Sequence, residues 1–239
     1  MASLSEDEKI VKELYNNVKS AWPENNAWYD YTQKRILNFI SSNLSITSDM
    51  KILNAGSGGT TYNLKCDMYH VDLAENLIKK FPKYYVSSIE KMPFHDSFFD
   101  IAICVGSVIN YNSAFEDILE ISRVLSSSAI LILEYERSLT GELLFKKGYG
   151  KGATMQIYNY NNQNNHKLWL YSDKYIDNIL SLNNLIIEKS EFFHCVSSIY
   201  NRVFHDENKA GKYAINDTKI PNNIAKYVAH NRIILCKKI

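Results

Sequence analysis

The chain has 239 residues, 46% of them hydrophobic and 22% charged, a globular composition that excludes a disordered chain and suffices for a large buried core. The formal net charge of +1 gives no general attraction to nucleic acid or anionic membrane, and no apolar run approaches the roughly 18 residues of a membrane span. Cys66, Cys104, Cys195 and Cys236 form no C-x-x-C pair, which argues against a disulfide framework or zinc site and for a reducing cytoplasm. The polar, acidic start from Met1 to Glu8 reads as neither a secretory signal nor a transit peptide.

Ser5 and Glu8 form a capping-box pattern ahead of Ile10, Val11, Leu14, Tyr15 and Val18 at helical spacing, which predicts a first amphipathic helix. After Pro23 a second helix is expected from Asn25 or Asn26, with Trp28, Ile36, Leu37 and Ile40 as its apolar stripe and a polar connection from Ser41 to Asp49. Strands and helices then alternate. Lys51 to Asn54 reads as a strand ending in the turn Ala55-Gly56-Ser57-Gly58-Gly59, and Met68 to Asp72 as a second strand. A helix follows from Ala74 to Phe81, and Tyr84 to Ser88 reads as a third strand. Phe99 to Val105 is a nearly continuous apolar run, as a parallel strand buried on both faces requires. Ser113 with Glu116 is a second capping-box pattern, opening a helix with Phe115, Ile118, Leu119 and Leu125 on one face; Ala129 to Leu133 is a fifth strand. Further on, Arg137 to Gly152 reads as a loop or short helix. Met155–Tyr160 and Lys167–Tyr171 read as a hairpin around an Asn-rich turn, and Ser172 caps a helix. Leu185 to Phe193 and Arg232 to Cys236 are the final strands, with a helix-bearing segment from Val196 to His230 between them to wall a pocket. This alternation predicts an α/β fold with a parallel sheet, whose ligands bind outside the carboxyl ends of the strands.

The turn Gly56-Ser57-Gly58-Gly59 allows close backbone approach to a ligand, although Thr61 breaks a strict G-x-G-x-x-G. Asp72, at the next strand end, can accept from a ribose diol or cap the following helix. The segment Ser88-Ile89-Glu90-Lys91-Met92-Pro93-Phe94, followed by Ser97-Phe98-Phe99-Asp100 and an apolar strand, resembles class I S-adenosylmethionine (SAM)-dependent methyltransferases. Glu120 to Leu125 resembles that family's helix before its fifth strand, and the likeness covers residues 50–136.

The resemblance implies a Rossmann-like three-layer sandwich: a mostly parallel seven-stranded sheet with an antiparallel last strand and a helical N-terminal cover. It implies one methyltransferase domain over 1–239, with 1–48 as helical cover, 49–136 as cofactor-binding core, and 137–239 as substrate-side cover and final strands. Gly56, Ser57 and Gly58 would follow the methionine part of SAM, Asp72 the ribose, and Leu73 the adenine face. Ser88 and Ile89 would sit at the adenine edge, and Cys104, Val105 and Gly106 under the sulfonium. Asn54 stands where the family usually has an acid facing the cofactor's ammonium, so Asn54→Asp is expected to strengthen SAM binding through a charge-assisted bond. Thr60 and Ser88 are the other departures from the pattern. Methyl transfer needs mainly orientation of the acceptor. Tyr111 is therefore expected to face the methyl, Tyr29 to wall the pocket, and His194 to be a candidate base, each against a purely structural role. Glu134 and Glu136 end the fifth strand, where one of them points to the pocket or both are solvated. Lys146, Lys147 and Lys151 would meet an anionic substrate or form a solvated loop.

The expected reaction is methyl transfer from SAM to a small-molecule O, N or C atom, giving S-adenosylhomocysteine, in the cytoplasm, with no metal, nucleic acid or membrane involved. Two rivals stay open. One is a SAM-binding protein of this fold without methyl transfer. The other is an NAD-dependent oxidoreductase, which shares the glycine turn and Asp72 but does not account for Ser88 to Phe99.

Overall fold

The structure is a computed structural model that describes residues 4–64, 66, 68–160 and 164–239. Helix α1 (Glu6–Asn16) opens on the predicted capping box: the Ser5 hydroxyl accepts from the Glu8 amide at 3.2 Å, and the Glu8 carboxylate accepts from the Ser5 amide at 2.7 Å. Helix α2 (Ala27–Asn43) is capped by Asn26, whose side chain accepts from the Trp28 amide at 3.0 Å. It buries Trp28, Ile36 and Ile40 and runs two residues past the predicted break at Ser41.

Strands β1 (Ile52–Ala55), β2 (Met68–Asp72), β3 (Tyr84–Val86), β4 (Phe99–Cys104) and β5 (Leu125–Glu136) pair in parallel. Strands β6 (Ala153–Tyr160) and β7 (Asn164–Tyr171) form a separate antiparallel pair, the predicted hairpin, whose Asn-rich turn lies partly outside the described residues. Strands β8 (Leu185–Phe193) and β9 (Asn231–Lys238) complete a seven-stranded sheet in the order β3-β2-β1-β4-β5-β9-β8. The last strand in the chain, β9, is antiparallel to both of its neighbours, as expected.

Both faces of the sheet are covered, which explains the unbroken apolar runs. In β4, Ala102 and Cys104 face a core shared with Ile118, Ile121 and Ile176, while Ile101 and Ile103 face Ile36, Phe39 and Ile40 of α2. The first of these faces carries α4 (Ala114–Val124) and α5 (Asp173–Leu182); the short α3 (Glu75–Ile78) packs apart from them, its Leu77 and Ile78 clustering with Tyr15 of α1, Ala21 and Phe81. The segment between β8 and β9 is helical as predicted, with α6 (Cys195–Phe204), α7 (Glu207–Gly211), a 3-10 turn at Ala214–Lys219 and α8 (Asn222–Val228).

Three local expectations change. Helix α3 is one turn, shorter than Ala74 to Phe81. Ser113 makes no side-chain cap; its amide instead donates to Glu90 at 3.2 Å, so the bond a capping-box Glu116 would make is already taken. Phe115 and Leu119 are exposed, and α4 buries Ala114, Ile118, Ile121 and Val124 instead.

The order of strands reverses between β1 and β4, and this is the position where an open α/β sheet leaves a crevice outside its strand ends. The loops after β1 and β4 therefore face each other there, with α1 and α2 above them.

Candidate active site

A cavity of about 830 Å³ occupies that crevice, within the roughly 300–1,000 Å³ typical of small-molecule sites. One wall is the turn after β1. Gly56 lies at φ +67°, and a Cβ there would run into Val108; at Gly58, φ +52°, a Cβ would sit 2.7 Å from that of Ala21. Side chains are thus excluded at Gly56 and Gly58, where the backbone is what the cavity meets. The Gly58 amide donates to Asp72 Oδ2 at 2.7 Å and the Ala74 amide to Oδ1 at 2.8 Å. Burial pushes the Asp72 carboxyl up, and these backbone donors partly offset it. The Leu73 amide also acts on this carboxylate, whose two oxygens together have room for about four bonds. Asp72 therefore holds the turn and keeps acceptor capacity on the cavity side, so the capping and binding roles coexist.

Leu73, Ile89, Val105 and Gly106 also line the cavity. So does Ser57, whose hydroxyl pairs with His70 Nδ1 at 2.7 Å; burial and the Lys80 charge push His70 down to about 4, so it is neutral. Asn54, Ser88 and Cys104 are not on the wall. Asn54 is fully buried and donates from Nδ2 to the Thr60 carbonyl at 2.8 Å, bracing the turn from behind. The Ser88 hydroxyl accepts from the Glu90 amide at 3.2 Å, and its neighbour Ser87 takes the wall position. Cys104 is buried in the core, which pushes its thiol well up.

The loop after β4 is held from below. Glu134 Oε2 accepts from the Gly106 and Ser107 amides, both at 2.8 Å, and its Oε1 accepts from Asn231 Nδ2 at 2.7 Å. Burial pushes Glu134 up to about 7, while the Asn231 bond pulls the other way. Glu134 is thus a brace, and Glu136 is the strand-end carboxylate on the cavity.

Tyr111 and Tyr29 both line the cavity. The Tyr111 and Tyr15 hydroxyls are 2.7 Å apart with their rings edge-to-face, which ties α1 over the site. Trp22 donates from its indole to Thr60 at 3.3 Å, closing the cover beside the glycine turn. Burial, then the Glu207 and Glu136 charges, pushes Tyr29 up, and Tyr29 hydrogen-bonds Glu207.

His194 is elsewhere. It is fully buried, stacks on Trp28 at 3.9 Å, and has both ring nitrogens engaged, by Thr32 at 2.8 Å and Ser197 at 2.7 Å. Burial and the His230 charge keep it neutral, and it pins α2 to α6 rather than reaching the cavity. The histidine on the wall is His230, with Nε2 3.3 Å from Glu136 and Nδ1 3.5 Å from Glu142. Burial alone would push His230 down; Glu142 and Glu136 overcome it and raise it to about 9. Glu207 completes the group, pushed up to about 7 by burial. Sequence reading missed Glu142, Glu207, His230 and Asn231. They come from three separate segments, and the pairing of Glu136 with Asn231 across β5 and β9 sets the His230–Asn231 segment beside Glu136. Of the three lysines considered, Lys146 reaches the cavity rim.

Residues 53–133 match the family model for a methyltransferase domain. The chain carries a methyltransferase domain. Its fold is that of class I SAM-dependent methyltransferases, at low sequence identity. Geranyl diphosphate C-methyltransferase from Streptomyces coelicolor A3(2), solved with Mg2+, geranyl diphosphate and S-adenosyl-L-homocysteine, aligns over 100% of both chains at 11% identity with a TM-score of 0.63. The Burkholderia thailandensis 1,6-didemethyltoxoflavin-N1-methyltransferase, solved with 1,6-didemethyltoxoflavin and S-adenosylhomocysteine, aligns over 100% of this chain and 92% of its own at 11% identity and a TM-score of 0.56. The [4+2]-cyclase SpnF aligns over 96% of this chain and 91% of its own, at 14% identity and a TM-score of 0.56. No curated protein matches the sequence. The methyltransferase match runs from β1 into β5, so it contains the glycine turn, Asp72 and Tyr111. Glu136, Glu142, Glu207, His230 and Asn231 lie beyond it.

Proposed function

We propose that this chain transfers a methyl group from SAM to a small-molecule acceptor inside the cavity at the β1/β4 crevice. The observation that carries this reading is Asp72: a buried carboxylate on the cavity wall, fixed by the Gly58 and Ala74 amides, beside a turn with no room for a side chain at Gly56 or Gly58. Those residues fit a nucleoside with a charged tail. Asp72 has free lone pairs for a ribose diol, Leu73 and Ile89 offer apolar surface to a base, and Gly56, Ser57 and Gly58 present backbone to the amino-acid part. Val105 and Gly106, braced by Glu134, form the floor beneath the transferred group. Asn54, Ser88 and Cys104 support this set from behind it. The structures solved with S-adenosylhomocysteine share this fold, which supports the same ligand here.

SAM, when bound, supplies a methyl on an already activated sulfonium. The chain supplies position. Tyr15, Tyr29, Trp22 and Tyr111 surround the cavity with aromatic faces, which stabilise a cation and exclude water. Orientation of the acceptor against that methyl then carries most of the catalysis. Residues 1–239 act in this reading as one domain, with α1, α2 and the segment from α6 to α8 as cover. The near-neutral charge and closed cover favour a small acceptor over nucleic acid. Among the described residues no helix is long and apolar enough to cross a membrane, and the buried thiols of Cys104, Cys195 and Cys236, which are not in disulfides, fit a cytoplasmic setting.

Calorimetric titration with S-adenosylhomocysteine, with NAD in parallel, tests the reading. Wild type should bind the former alone, and Asp72→Ala should weaken that binding at least about tenfold, the size of one lost charge-assisted bond. Preference for NAD, or undiminished affinity in Asp72→Ala, would overturn it.

A further inference from the structure

We propose that the far end of the cavity takes an amine as the methyl acceptor, held by Glu136, Glu142, Glu207 and the Asn231 side-chain oxygen. This rests on the methyl-transfer reading above and names its substrate class. The three carboxylates converge on the same wall from the end of β5, the 3-10 turn at Gly141–Leu143, and α7. His230 sits between two of them, 3.3 Å from Glu136 and 3.5 Å from Glu142, and so balances one negative charge of three. Asn201 donates to Glu142 at 3.0 Å, which fixes that carboxylate without neutralising it.

Asn231 is an independent mark. It is 2% exposed and lines the cavity. Its Nδ2 is committed to Glu134, and its Oδ1 is buried with no hydrogen-bond partner among the described residues. A buried acceptor without a donor costs about 1–3 kcal/mol, and an N–H from an acceptor substrate removes that cost. The brace through Glu134 places Asn231 next to the Gly106–Ser107 floor, where the reacting atoms would meet. Trp28 and Tyr29 add aromatic faces to the same region, and carboxylates with aromatic walls are the usual surroundings of a bound ammonium. Arg202 and Lys146 also line the cavity; the largest charge effects on Glu207 come from Glu142, Glu136 and His230.

The chemistry balances. A bound ammonium passes one N–H proton to the Glu207 carboxylate. The freed nitrogen lone pair forms the N–CH3 bond while the C–S bonding pair stays on sulfur, leaving a methylammonium product and S-adenosylhomocysteine. Glu207, pushed up to about 7, accepts that proton near neutral pH.

The test is calorimetric titration of protein saturated with S-adenosylhomocysteine against phenethylamine, phenethyl alcohol and phenylacetate, which share a skeleton and differ in the polar group. Phenethylamine should bind at least about tenfold more tightly than the other two, as expected for a charge-assisted contact. Glu207→Gln and Glu142→Gln should each cut that preference at least about fivefold, with affinity for S-adenosylhomocysteine held within about twofold as the check on folding. Equal or better binding of the alcohol or the carboxylate, no binding of any of the three, or a preference unchanged in both variants would overturn the proposal. Failure of S-adenosylhomocysteine itself to bind would strike the methyl-transfer reading instead. The amine preference, measured then on the protein alone, would still decide whether this end of the cavity selects an amine.

Discussion

Asn54 shows how a residue can keep its place in a motif and change its job. By its position near the end of β1 it should meet the cofactor's ammonium, and an acid there should bind more tightly. In the structure its amide instead donates to the Thr60 carbonyl at 2.8 Å and is fully buried. A carboxylate has no donor for that carbonyl and would set a buried charge against it. Asn54→Asp should therefore destabilise the protein by about 1–3 kcal/mol, read as a lower urea midpoint, with S-adenosylhomocysteine affinity unchanged or reduced. Tighter binding at an unchanged midpoint would put the side chain back on the ammonium. Asp72 makes the complementary case. Its place at a strand end suits a helix cap or a ribose ligand, and its two oxygens, though bonded by backbone amides, keep room for both uses.

At the scale of elements, Arg137 is the lock between the sheet and its cover. It is fully buried at the end of β5 and pairs with Asp173 at the start of α5, at 2.7 and 2.6 Å. It also donates to the carbonyls of Ala229 at 2.7 Å, Lys226 at 2.6 Å and Leu139 at 3.2 Å, tying in the end of α8. Removing Arg137 leaves Asp173 with only the Tyr135 hydroxyl at 3.1 Å and the more distant Arg232 at 3.8 Å, and strands three carbonyls, so Arg137→Met should cost about 3–5 kcal/mol in denaturant unfolding. A loss under about 1 kcal/mol would mean that the cover packs on apolar contacts alone. What could be read from the sequence follows the same division. The glycine turn, Asp72, the buried β4 run and the Ser5–Glu8 cap are contiguous, and each states its own geometry within a few residues. The Ser113–Glu116 pattern has the same form but fails, because Glu90, remote in sequence, reaches the Ser113 amide first. The acceptor end had no local signature at all. Glu142, Glu207 and His230 meet only after β9 has paired with β5 and the helices between β8 and β9 have folded over the crevice. His194, a candidate base because it ends a predicted strand but equally open to a structural role, turns its ring into α2 and α6.

For the whole molecule, the buried histidines and carboxylates set how stability depends on pH. His230 titrates near 6.5 in an unfolded chain and at about 9 in the folded one, because Glu142 and Glu136 outweigh its burial. Its contribution is fully present below about pH 6.5 and is lost as the pH rises through 9. Glu134 and Glu207 act in the same direction at lower pH. Their folded values of about 7 lie above those of the unfolded chain, so stability falls as they ionise between about pH 4.5 and 7. His70 and His194 oppose this in acid: both are held neutral by burial, so protonating them below about pH 6.5 favours the unfolded chain. Above pH 7 His230 is the member of this group still titrating. Unfolding free energy should then drop by about 3 kcal/mol between pH 7 and 10, the equivalent of a shift from 6.5 to about 9. His230→Gln should flatten that slope whatever its effect on absolute stability, since it removes the proton rather than the packing. A wild-type slope that survives the substitution would mean that His230 is neutral in the folded protein, and that the carboxylates around it carry one more uncompensated charge.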